Sequence, residues 1–109
     1  MSSNVRTGAV IGVKVKNNAH ESLGEIAELV IDKTSGSVNY LVLDFGGFLN
    51  FGTKFFAIPW HLFTYNPYED CFILNIEKDK LKDAPGFNKE NWPDFVSPEV
   101  IKPLFNFYG

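Results

Sequence analysis

The sequence predicts an all-β fold, a small six-stranded barrel, closed or nearly closed, with a short C-terminal helical tail. Three observations carry that expectation. Aromatic residues make up 16% of the 109-residue chain, and they fall mainly in short runs beside Gly or Pro, which suits strands better than helices. Apolar residues recur with a period of two in several stretches. Turn-forming residues interrupt those stretches at the short spacing of a barrel or sandwich.

Residues 1–8 are polar and read as a flexible lead-in. The first strand, residues 10–16, alternates Ile11, Val13 and Val15 with Gly12, Lys14 and Lys16. A polar turn from Asn17 to Ser22 leads to a second apolar series, with Ala27, Leu29 and Ile31 expected on one face and Ile26 and Val30 on the other. Its Gly24 suits a bulge or tight bend. Asp32 and Gly36 bracket a short polar segment between two β-branched runs, a hairpin signal that pairs the second strand with residues 38–45. In that third strand Tyr40, Leu41, Val42 and Leu43 are consecutive and apolar, so both faces need cover.

A glycine-bounded loop, Gly46 to Gly52, carries Phe48, Leu49 and Phe51. Extended structure resumes at residues 54–60 and ends at Pro59, which has no N–H for a ladder. Residues 62–65 and 71–76, separated by the turn at Asn66-Pro67, complete the strands. The barrel domain is thus expected over residues 9–83 and a tail over 84–109. Within the tail, Ser97 followed by Pro98 and Glu99 marks a helix start, with the Ser hydroxyl as the expected cap. Pro103 limits that helix to a short or kinked one near residues 98–107. Phe87, Trp92, Phe95, Leu104 and Phe107 are too apolar to leave in water, so the tail is expected to cover the barrel or a partner subunit. Phe56, Trp60 and Phe72 are expected to fill the barrel.

Composition restricts the function classes. A chain of this length forms one domain and buries roughly two thirds of its unfolded surface. Net charge is -3, which argues against electrostatic capture of nucleic acid, since phosphate binding needs clustered Lys and Arg. Cys71 is the only cysteine, so no intrachain disulfide forms, and its apolar neighbours make it an inert core thiol. No apolar run approaches the ~20 residues of a membrane helix, so the expectation is a cytoplasmic protein with no membrane insertion.

No motif reads as a catalytic, cofactor or metal site. The stretch from Gly47 to Lys54 comes near a phosphate-binding loop, but its closing pair is Thr53-Lys54 in the reverse order, and an aromatic strand follows where a helix N-terminus is needed. His20 and His61 stand alone, without Cys or carboxylates at ligand spacing. His61, beside Trp60, reads as a residue of the barrel rim.

Taken together, Leu23-Gly24-Glu25-Ile26, Leu29-Val30-Ile31-Asp32, Tyr40-Leu41-Val42-Leu43, Phe45-Gly46-Gly47-Phe48 and Phe56-Ala57-Ile58-Pro59-Trp60 resemble the PRC-barrel domain family. The likeness runs from about Val10 to Pro85, and the ending, with Asn91-Trp92-Pro93-Asp94-Phe95, is similar to the tail of stand-alone bacterial members. The resemblance implies a PRC-type barrel related to the cytoplasmic domain of the photosynthetic reaction centre H subunit and the C-terminal domain of a ribosome-maturation factor. It also implies a docking role without a family-defining catalytic residue. The leading expectation is therefore a non-enzymatic interaction or assembly module without a cofactor, whose partner is a protein or a second copy of itself as a homo-oligomer. Its candidate surface comprises Phe48, Leu49, Phe51, Trp92 and Phe95. An RNA- or ribosome-associated factor using Lys14, Lys16 and Lys54 is the first alternative, and a small-ligand-binding barrel the second.

Overall fold

Six strands form a single curled sheet in the order β4-β3-β2-β1-β6-β5. They are β1 (Lys14–Lys16), β2 (Ser22–Ile31), β3 (Val38–Gly47), β4 (Thr53–Pro59), β5 (Phe63–Asn66) and β6 (Cys71–Leu74). The computed structural model describes residues 4–47, 53–88 and 90–109. Among the described residues three α-helical pieces flank the sheet: α1 (Thr7–Val10), α2 (Lys78–Leu81) and α3 (Pro98–Tyr108). All strand pairs are antiparallel except β1 with β6, whose parallel pairing brings the start and end of the barrel together.

The β2–β3 hairpin turns at Asp32–Gly36 as the residue chemistry requires. The Asp32 side chain accepts the Thr34 N–H at 2.9 Å, the Gly36 N–H donates to the Asp32 carbonyl at 2.7 Å, and Gly36 takes a φ of 79°. Inward residues of the strands, including Val15, Leu23, Ile26, Leu41, Leu43, Phe56 and Ile58, are at most 1% exposed and form one core. Leu81 of α2 plugs it and is fully buried.

Local readings needed correction at four places. The first strand is shorter than its alternation suggests: Thr7–Val10 forms a helical turn that buries Val10, and Gly12 reverses the chain at φ 88° before β1 begins at Lys14. On β2, register irregularities between Ile26 and Glu28 and between Val30 and Ile31 reset the period of two. Ile26 and Leu29 therefore both pack on the core, whereas Ile31 is 54% exposed; an extra residue in one strand shifts every later side chain to the other face.

Trp60 does not fill the barrel. It opens the 3-10 turn Trp60–Leu62 that follows Pro59, and there it is 43% exposed with its ring edge-on to Phe72, centroids 6.2 Å apart. Helix α3 is short, as expected, and within Pro98–Tyr108 it runs unbroken through Pro103, so the remaining correction concerns its cap. The bond that Pro103 forgoes would have gone to the carbonyl of Glu99, and both residues are exposed, so water can satisfy that oxygen. The Ser97 hydroxyl makes no capping bond; the Ser97 N–H instead donates to the Asp94 carboxylate at 2.9 Å.

Candidate interaction surface

The pairing register defines what the outer face of the sheet presents. Glu25, Asp44 and Phe55 are directly paired, as are Glu28, Val42 and Ala57, and Val30, Tyr40 and Pro59. They alternate with the core residues and so point outward. Val42, Ala57 and Phe55 are nevertheless no more than 8% exposed. The C-terminal tail covers them.

That cover begins at Phe87, which exchanges two backbone hydrogen bonds with Phe55, at 2.8 and 2.9 Å, and so pairs part of the outer edge of β4. Gly86 lets the chain come this close: a Cβ there would lie 3.1 Å from the Phe55 carbonyl oxygen and 3.0 Å from the Phe56 ring. Phe55, Phe87 and Trp92 then form a three-ring cluster with centroids 4.9 to 5.8 Å apart, within the range of favourable aromatic pairing. Phe95 extends it, 6.1 Å from Phe87 and 5.8 Å from Tyr40 on β3. Phe95 has a φ of 59°, unusual for a bulky residue. The loop is stabilised just before it by Asp94, which accepts the N–H groups of Val96 and Ser97. Those two bonds, that from Ser97 foremost, hold the Asp94 carboxyl below the usual carboxylate range.

Helix α3 lies against β4 and seats Leu104, 5% exposed, while Phe107 and Tyr108 pack on the core. Burial raises the pKa of the Tyr108 phenol. The flank of α3 opposite Phe107 is different. Ile101 and Phe105, four residues apart on one side of the helix, are 37% and 69% exposed, and Val96 and Trp92, earlier in the tail, are 76% and 43% exposed. Beside this flank runs an open groove of ≈ 280 Å³ lined by Asn39, Tyr40, Pro59, His61, Ile101, Leu104, Phe105 and Tyr108. On the other side of Leu104 a smaller space of ≈ 170 Å³ lies under Phe87, Phe95 and Pro103. The groove is apolar at its floor and carries Asn39 and His61 at its rim.

Of the residues nominated from sequence, Trp92 and Phe95 meet in one aromatic cluster. Trp92 is partly open to solvent and Phe95 half-buried. Phe48, Leu49 and Phe51 lie outside the described residues. Ile101 and Phe105 were not nominated, although helical spacing separates them from Val100, Leu104 and Phe107 and could have found them. The lysines of the nucleic-acid reading are engaged: Lys14 pairs with Glu25 at 3.3 Å, Lys16 with Glu69 at 3.6 Å, and Lys54 lies 5.1 Å above the Phe56 ring. Among the described residues no three His, Cys, Asp or Glu side chains gather at metal-holding distance, and no helix is long and apolar enough to cross a membrane.

A family model for the PRC-barrel domain matches residues 5–81. No curated protein matches the chain. With well over half of its length matched, the chain belongs to the PRC-barrel family.

Proposed function

From the premise of a PRC-barrel protein, we propose that this chain is a non-enzymatic interaction module of the cytoplasm that works by self-association through its C-terminal tail. One observation carries the reading: Phe105, a large apolar side chain 69% exposed on an ordered helix, borders an apolar groove of ≈ 280 Å³. Exposed apolar side chains that adjoin one another and are rimmed by polar groups mark contact sites on soluble proteins. Ile101 lines the same groove, and Val96 and Trp92 are further exposed apolar side chains of the tail.

Neither alternative gains a supporting observation. The barrel interior is filled by its own side chains, which does not favour a ligand-holding lumen. The three lysines of the RNA reading are held in contacts within the chain, which does not favour a free basic face. Sedimentation equilibrium of the wild type and of Phe105→Ser over a wide concentration range tests the proposal. The wild type should show a concentration-dependent mass increase that the variant loses; a wild type that stays monomeric at the highest concentration would sink it.

A further inference from the structure

We propose that the outer edge of β4 is a strand-docking site that the chain's own tail closes only in part, and that its partner is an extended peptide of another protein. That peptide sets an aromatic residue opposite Phe55 and a residue other than proline opposite Ala57. The tail already occupies the edge in this manner: Phe87 pairs with Phe55 in the antiparallel sense, and its ring joins those of Phe55 and Trp92. An extended segment added to a sheet edge gains affinity from backbone hydrogen bonds and specificity from the pockets that receive its side chains.

The self-pairing stops after one residue for a chemical reason. Along an antiparallel ladder, residues that exchange both backbone bonds recur at every second position. After Phe55 with Phe87, the next such pair is Ala57 with Pro85. Pro85 has no N–H to give the Ala57 carbonyl, and among the described residues neither backbone group of Ala57 has a backbone bond to the tail. The β3–β4 pairing is regular from Phe55 to Pro59, so Ala57 presents its N–H and C=O to the same edge as Phe55. Ala57 is nevertheless only 2% exposed, beside the space of ≈ 170 Å³ that Pro85, Gly86 and Phe87 also line. A covered backbone group without a partner is destabilising, so the closed tail carries a penalty that a fuller strand would remove. A second copy's tail brings the same proline to the same position, so the partner is a different protein. This docking is separate from self-association through the groove beside Phe105.

Two synthetic peptides with the sequence of residues 83–96, one unaltered and one carrying Pro85→Thr, test the proposal on the full chain by backbone NMR. The altered peptide should shift and protect the Phe55 and Ala57 amides and bind about tenfold more tightly than the unaltered one, the effect of two further backbone hydrogen bonds. Pro85→Thr within the full chain should complete the self-pairing instead: exchange of the Phe55 amide slows by about tenfold, and the altered peptide binds correspondingly more weakly. Peptides that bind equally well, that bind without moving the Phe55 and Ala57 signals, or that do not bind would overturn the proposal. So would a Pro85→Thr chain whose Phe55 amide exchanges as fast as in the wild type. Sedimentation of the wild type decides self-association independently, so either reading can fail alone.

Discussion

Replacing Gly24 with Ala should be among the most damaging single-methyl changes available in this chain. Gly24 lies in β2 at φ 124°, a backbone region essentially reserved for glycine, and forcing another residue there costs on the order of 1–3 kcal/mol. The added Cβ would also collide with the Asp44 carbonyl oxygen, with the Asp44 carbonyl carbon 2.9 Å away. These are backbone atoms of β3, so relief requires parting the β2–β3 ladder, for which overpacking costs of about 1–3 kcal/mol are appropriate. Together the terms reach about 2–6 kcal/mol, a large share of the 5–15 kcal/mol typical of a whole domain. At roughly 4–8 °C per kcal/mol for a small domain, the melting temperature should fall by about 10 °C or more. Urea and thermal unfolding followed by circular dichroism measure this directly. A Gly24→Ala protein within about 1 kcal/mol of wild type would refute the argument that β2 and β3 touch at Gly24.

Other parts of the account give equally definite expectations. Asn17, 4% exposed, donates to Glu21 Oε1 at 2.8 Å and to the Ile76 carbonyl at 3.2 Å while accepting the Ala19 and Glu21 N–H groups at 3.0 Å; Asn17→Ala should cost about 2–3 kcal/mol in denaturant unfolding, because buried partners are left unpaired. Leu104→Ala should cost about 2–3 kcal/mol and reduce the near-ultraviolet signal of the Phe87–Trp92–Phe95 cluster as α3 loosens, whereas Phe105→Ser should leave monomer stability nearly unchanged. The Asp32 carboxyl, held down first by the Thr34 N–H and then by the Ser35 hydroxyl, and the Asp94 carboxyl, held down by Ser97 and Val96, both have folded pKa values below their unfolded ones. Their contribution to stability is therefore present above the unfolded pKa near 3.8 and is lost as pH falls through the lower folded value. Carbon-13 NMR titration should place both midpoints below 3.8, and a midpoint above it at either residue would contradict the turn geometry.

Strand identities and the hairpin were legible because each rests on local chemistry: β-branched and aromatic runs, and an Asp-to-Gly turn that fixes its own hydrogen bonds. What escaped depended on contacts distant in sequence. The facing of Leu29 and Ile31 turns on irregularities in the β2–β3 pairing, which alternation within β2 alone cannot reveal. Trp60 looked like a core residue because Phe56 and Ile58 precede it at a spacing of two, but Pro59 ends the strand first. The hub role of Asn17 required knowing that the end of β6 lies beside the β1–β2 turn.

The candidate surface was legible in part. Trp92 and Phe95 stood out as aromatic residues in a tail, and their shared cluster with Phe87 is a product of tertiary structure. Ile101 and Phe105 were not legible in the same way, because which side of α3 faces water depends on how the helix seats on β4, a contact distant in sequence. A continuous α3 makes that distinction decisive, since Leu104 and Phe105 are adjacent in sequence and differ from 5% to 69% in exposure.

Amide hydrogen exchange of the wild type at low and high protein concentration would test the central claim most directly, because it reports where copies meet as well as whether they do. Self-association through the tail predicts added protection at high concentration in α3 and in the strand residues around Tyr40, with the Asp32–Gly36 turn unchanged. Exchange that is independent of concentration along α3 would contradict it.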